Sequence, residues 1–231
     1  MNVIPKLFIA IDQNNINEAK KLIQMLPPEI CGIKVGKELF TACGPEIIEW
    51  IQKKEFKVFL DLKYHDIPNT VKNACFVASK MGVSILNVHA LGGKDMMLAA
   101  KEGVDKSTNN PYLIAVTLLT SMDSSNLKEI GFTSKINDQI LKLSKSAIDS
   151  KLDGVVCSAQ DIKNVKSMVP KDFLFVTPGI RLTSSSKDDQ KRISTPSEAI
   201  EMGSSILVIG RPITEAKNPE AVLKKIMNEI S

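Results

Sequence analysis

Eight short apolar or β-branched runs recur along the chain: LFIAID (7–12), CGIKV (31–35), KVFLDL (57–62), VSILNVHA (83–90), YLIAVTLL (112–119), DGVVCS (153–158), FLFVTP (173–178) and SILVIG (205–210). Runs this apolar suit parallel strands buried on both faces, where no polar face needs to alternate with the apolar one. Between them the period lengthens to that of a helix, as in INEAKKLIQML, PEIIEWIQKK, TVKNACFVASKMG and INDQILKLSKSAI. One strand-plus-helix unit takes about 30 residues. Eight such units account for residues 1–231 with no break in composition. The pattern predicts an α/β fold, a single (β/α)8 TIM barrel forming one domain over 1–231. A doubly wound open sheet would also alternate, but no GxGxxG follows the first run and no linker separates two halves.

Bulk properties narrow the function classes. With 43% hydrophobic and 24% charged residues the chain has apolar mass for a sizeable core. The net charge of +4 is mild, and lysines lie scattered among acidic residues, so a nucleic-acid partner is not expected and a small anionic ligand is. Cys31, Cys43, Cys75 and Cys157 show neither CxxC nor His-paired spacing, which predicts reduced core thiols and a cytoplasmic location. No signal peptide and no membrane-spanning segment are expected.

A barrel gathers its chemistry at the C-terminal ends of its strands. Polar residues collect there: Asp12 closing the first run, Lys34 near the end of the second, Asp61 and Lys63 ending the third, His89 ending the fourth, Thr120 and Ser121 after the fifth, Arg181 after the seventh, and Gly210-Arg211 at the eighth. The densest cluster is DLKYHDIPNT (61–70). Asp61 and Lys63, two apart, are expected to project to one side of a strand, with Lys34 beside Asp61 on the neighbouring strand. A structural ion-pair network is the bland account of such an array. Its place at a barrel mouth favours chemistry, because buried charges are costly even when paired.

Only three of the thirty basic residues are arginines, Arg181, Arg192 and Arg211, and all follow the seventh run. A guanidinium fork suits bidentate phosphate contact, and barrels of this class often hold phosphate between the loops after strands seven and eight. PGIR (178–181) and GRPIT (210–214) therefore point to a phosphorylated substrate. The polar stretch 181–196 between them is expected to be a surface loop. Arg192, to which no role is assigned, is expected to be exposed. His65 and His89 lack metal-motif spacing, and a hydrogen-bonded structural role is expected for His89. Pro68 suits the first turn of a helix.

The pieces FIAID, GIKVG, VFLDLKYHDIPNTV, NVHALGG, VTLLTS, VTPGIR and VIGRPIT, taken in order, span nearly the whole chain. In them the chain resembles the orotidine 5′-phosphate decarboxylase family. The resemblance implies conversion of orotidine 5′-phosphate to UMP and CO₂ in pyrimidine biosynthesis, with no cofactor and no metal. Lys63 would be the proton donor to pyrimidine C6, acting with Asp61 and Lys34. Asp12 and Lys34 would hold the ribose hydroxyls with Thr70, Ser121 and Thr120 would meet the base, and Pro178, Arg181, Gln190, Gly210 and Arg211 would complete the substrate site. In the homodimer so implied, Asp66 and Thr70 reach into the neighbouring subunit's site, and the 181–196 stretch becomes a lid over the phosphate. Two alternatives stand beside this reading. One is a Mg²⁺-dependent sugar-phosphate decarboxylase or synthase of the same superfamily, which would place an acidic ligand where this chain has Lys34. The other is a non-catalytic nucleotide-binding barrel.

Overall fold

The computed structural model describes residues 4–182 and 192–230. Eight parallel strands close on themselves in sequence order: β1 Leu7–Ile11, β2 Gly32–Gly36, β3 Val58–Tyr64, β4 Ile85–His89, β5 Tyr112–Val116, β6 Gly154–Val156, β7 Leu174–Thr177 and β8 Ile206–Ile209. Closure comes from β8 pairing with β1 in register Leu7↔Leu207 and Phe8↔Val208. The chain thus forms a (β/α)8 TIM barrel, as the spacing of its apolar runs predicts.

Strand pleating sorts side chains between two cores. Phe8, Ala10, Phe59, Ile85, Ile114, Val176, Ile206 and Val208 point into the lumen and fill it, with Phe8 set edge-on to Phe59 at 6.0 Å between ring centres. The alternate residues, such as Leu7, Ile9 and Ile11 of β1, face the helices in a larger shell. Each buried Leu, Ile or Phe contributes about 1.5–3 kcal/mol relative to exposure, so two-sided burial explains why the strands read as unbroken apolar runs.

The helices begin where the sequence supplies caps. The Asn15 side chain accepts hydrogen bonds from the N–H groups of Asn17 and Glu18 at the start of Ile16–Ile23. Pro68 opens Pro68–Lys80, whose missing N–H costs nothing in a first turn. Thr195 and Glu198 form a reciprocal capping box ahead of Pro196–Glu201. The helix Pro68–Lys80 packs on Gly93–Asp105, joined by the Lys72–Glu102 ion pair at 2.7 Å. Among the described residues no helix is long and apolar enough to cross a membrane. All four cysteines are free thiols, and three are buried; burial pushes Cys31 and Cys75 up to about 12.

Candidate active site

Lumen packing stops short of the C-terminal mouth and leaves a cavity of about 320 Å³. Its floor is apolar, with Ala10, Phe59, Val156, Val176 and Val208 among its residues, and its walls are polar. Ten of the residues singled out from the sequence line it: Asp12, Lys34, Asp61, Lys63, Thr120, Ser121, Pro178, Arg181, Gly210 and Arg211.

Four charges of alternating sign run along one wall. Lys34 Nζ lies 3.6 Å from Asp12 and 3.2 Å from Asp61, and Lys63 Nζ lies 2.6 Å from the other oxygen of Asp61. Lys34 and Asp61 are buried, whereas Lys63 is half-buried and Asp12 exposed. An unpaired ion at such a depth would cost several kcal/mol, so each charge is tolerable because its opposite is in contact. Burial by itself would raise the Asp61 carboxyl. The Lys34 and Lys63 ammonium groups, with hydrogen bonds from Lys63 and Asn87, outweigh it and hold that group at about 2. Asp61 is therefore a fixed negative charge at neutral pH. The bare backbone at Gly36 makes room for the array, since a Cβ there would stand 2.8 Å from Asp12 Oδ1 and 3.0 Å from Lys34 Nζ.

Asp61 and Lys63 meet by a route other than simple alternation. The register between β3 and β4 runs Leu60↔Leu86 and then Tyr64↔Val88, so β3 spends four residues where β4 spends two. Lys63 takes the left-handed conformation, φ 51°, inside this bulge. The lysine backbone N–H, removed from the ladder, donates instead to Asn87 Oδ1 at 2.8 Å, while Asn87 Nδ2 donates to Asp61 Oδ1 at 2.7 Å. Sequence reasoning missed Asn87. The available signal was an amide in the middle of an otherwise apolar strand, where a buried polar group must be satisfied.

The opposite wall comes from β7 and β8. Gly179, at φ 77°, turns the chain after β7 so that Arg181 is buried with its N–H on the Ser194 carbonyl (3.0 Å) and one guanidinium nitrogen on the Ile180 carbonyl (3.0 Å). Arg211 is exposed at the start of the short helix Arg211–Thr214. Arg192 departs from the sequence expectation. Rather than being exposed, it is half-buried and pairs with the buried Asp161 at 2.7 Å, with a longer contact to the Leu119 carbonyl at 3.4 Å. Asp161 also accepts from the Ser158 N–H and hydroxyl. This cluster ties together the segments that follow β5, β6 and β7, a connection between residues far apart in sequence.

Asp66 and Thr70 are exposed and do not line the cavity. The Asp66 carboxylate accepts from the Ile67 N–H at 2.7 Å beside the start of Pro68–Lys80. Gln190 and the middle of the expected lid, 183–191, lie outside the described residues. His89 has the hydrogen-bonded role expected of it: its Nδ1 accepts from the Leu91 N–H at 3.3 Å, and its ring stacks on His65 at 5.4 Å. Burial, followed by the neighbouring His65, Lys63 and Lys37, lowers it to about 4.

Comparison with known proteins adds lineage to this geometry. The family described as orotidine 5′-phosphate decarboxylase / HUMPS matches residues 5–226. The chain belongs to that family. It is 50% identical over 222 residues to the orotidine 5′-phosphate decarboxylase of Hydrogenovibrio crunogenus, covering 96% of this chain and 94% of that protein. It is 51% identical over 229 residues to the enzyme of the same name from Psychromonas ingrahamii, covering 99% and 98% respectively. Among solved structures, the orotidine 5′-phosphate decarboxylase of Lactobacillus acidophilus superposes with a TM-score of 0.88 at 38% identity, over 99% of this chain and 100% of that one.

Proposed function

We propose that this protein decarboxylates orotidine 5′-phosphate to UMP and CO₂, a step of pyrimidine biosynthesis, and that it does so with side chains alone. The observation that carries the proposal is the Asp12–Lys34–Asp61–Lys63 array on the wall of a cavity whose other wall holds Arg181 and Arg211. Family membership and relatives about half identical over nearly the full length support the substrate.

The reaction poses a particular problem. When the bond from C6 to the carboxylate breaks, its electron pair stays on C6 in the plane of the ring, where the ring π-system cannot delocalise it. A cation must stand beside that carbon. Lys63 supplies it and then donates the proton that forms the C6–H bond, regaining a proton from solvent afterwards. Asp61 beside the substrate carboxylate would repel the ground state, and this repulsion lapses as neutral CO₂ forms. The larger contribution is the preorganised field, because charges already fixed by mutual pairing need not reorient during reaction.

In this reading Asp12 and Lys34 hold the ribose hydroxyls, Thr120 and Ser121 meet the base, and Pro178, Gly210, Arg181, Arg211 and Gln190 enclose the phosphate end. Phosphate binding energy can then serve the reacting centre. The chain acts as one domain in a cytoplasmic homodimer, Asp66 and Thr70 completing the neighbouring site. Their exposure outside their own cavity supports that assignment. A Mg²⁺-dependent sugar-phosphate reaction fits less well. The ammonium of Lys34 stands between two carboxylates where a cation would have to bind, and it would repel Mg²⁺.

The test is loss of orotidine 5′-phosphate absorbance on adding metal-stripped protein. Turnover unaffected by EDTA supports the reading, whereas activity abolished by EDTA and restored by Mg²⁺ overturns it. Mixing an Asp61→Ala protein with an Asp66→Ala protein tests the shared sites. Partial recovery of activity supports them, and none, despite subunit exchange, counts against them.

A further inference from the structure

Asn87 is fully buried, lies on the lumen side of β4 one step above Ile85, and belongs to none of the groups assigned so far. Its amide spans the two residues on which the proposed chemistry turns. The carbonyl oxygen takes the Lys63 backbone N–H (2.8 Å) and the amide nitrogen gives a hydrogen bond to Asp61 Oδ1 (2.7 Å), the same oxygen that holds Lys63 Nζ at 2.6 Å. We propose that Asn87 is a positioning residue that holds the left-handed turn at Lys63 and the Asp61 carboxylate in one rigid frame.

Three observations converge on this role. First, the bulge in β3 strips the Lys63 N–H of its ladder partner, and a buried N–H needs an acceptor. Secondly, a lysine at φ 51° is in a conformation that L side chains adopt only when their surroundings impose it, and the Asn87 carbonyl is the contact at that N–H. Thirdly, the chemistry admits an amide and little else. The group facing Lys63 must accept and the group facing Asp61 must donate, without adding a further full charge to an array already balanced as two acids and two ammonium groups. An aspartate of the same size would face carboxylate with carboxylate, and a serine would be too short to reach both. The asymmetric amide therefore determines where the ammonium stands and which Asp61 oxygen it shares. Bulges that re-aim a side chain beside a site are a known use of strand irregularity.

This inference rests on the decarboxylase reading for its kinetic arm, so wild-type turnover of orotidine 5′-phosphate is measured first. With that turnover in hand, Asn87→Ser is expected to lower kcat at least 30-fold while changing the affinity for UMP less than threefold. The reacting end is then displaced and the nucleotide grip kept. Asn87→Asp gives a sharper readout. A protonated carboxyl offers one donor and one acceptor, as the amide does, so the ratio of its kcat to that of wild type should climb as pH falls from 8 to 6, by up to tenfold per unit. A merely structural role would lower kcat and UMP affinity together and leave that ratio flat, and either result overturns the proposal. Should Asn87→Asp fail to fold, the split between kcat and affinity in Asn87→Ser decides. Should wild type not act on orotidine 5′-phosphate, the functional reading falls and the crystal structure of Asn87→Ser still decides this one. Lys63 leaving the left-handed region supports it, and Lys63 unmoved with its Asp61 contact intact refutes it.

Discussion

Along β2 and β3 the cavity wall carries buried charges in contact with their opposites, Lys34 between Asp12 and Asp61, and Asp61 between two ammonium groups. Along β7 and β8 the described lining residues include two arginines, Arg181 and Arg211, and none of those described is acidic. One edge is locally neutral, anchored in strands and locked by Asn87. The other carries its arginines on the turns that follow the strands, and the Arg192–Asp161 pair stands in the segment after β7. The contrast shows how a single cavity can divide its labour. A self-neutralised edge can be held rigid at depth because its desolvation is offset internally, whereas guanidinium groups set on turns present planar forks suited to an anion.

The division is broken most directly at Lys63. Lys63→Ala should reduce kcat by at least about 10³-fold, the range expected when one group supplies both a stabilising charge and a proton, with UMP affinity within a few-fold of wild type in a binding titration. A mutant that lost affinity and kept kcat would dissolve the distinction between the edges. Arg211→Ala should do the reverse. Loss of a charge-assisted phosphate contact worth about 1.5–3 kcal/mol should raise KM roughly tenfold to a hundredfold in steady-state assays, with a smaller change in kcat.

A milder test addresses the support beneath the arginine edge. Arg192→Met leaves Asp161, 3% exposed, without its ion partner but still hydrogen-bonded to Ser158. A destabilisation of about 2 kcal/mol is expected, together with a few-fold rise in KM, read by thermal melting and by kinetics. A pH test concerns His89, beside the neutral edge. Its folded value of about 4 lies below the ordinary 6.5, so the folded state refuses a proton that the unfolded chain accepts. Stability contributed by neutral His89 is complete above 6.5 and is lost as pH falls from there toward 4. Denaturant titrations at several pH values should show that decline, and His89→Gln should flatten it. Asp61, held at about 2, adds a separate loss only below its ordinary value of 3.8.

How far the sequence could be read follows the same physics. All eight strands were legible because a strand buried on both faces must be an apolar run, and Phe8, Phe59 and Ile85 facing the lumen are as apolar as Leu7, Leu60 and Leu86 facing the helices. Strand ends were less so. β3 continues to Tyr64, past the apolar run, because a bulge and a side-chain amide sustain it there, and β6 is only Gly154–Val156. The ten cavity residues were legible because barrel topology sends strand ends to one mouth. Arg192 and Asp161 were not, since 31 residues separate them and only the folded chain brings them to 2.7 Å. Asn87 was hidden in a different way. Its meaning lies in a register shift between two strands, and one sequence carries no notation for register.

The alternating wall has a consequence for how a ligand arrives. Charges of opposite sign spaced a few ångströms apart cancel at a distance, so their field fades within roughly a molecular diameter. That wall therefore does little to steer an anionic nucleotide from afar. Only after docking would its ring meet the short-range pattern that discriminates one atom from the next.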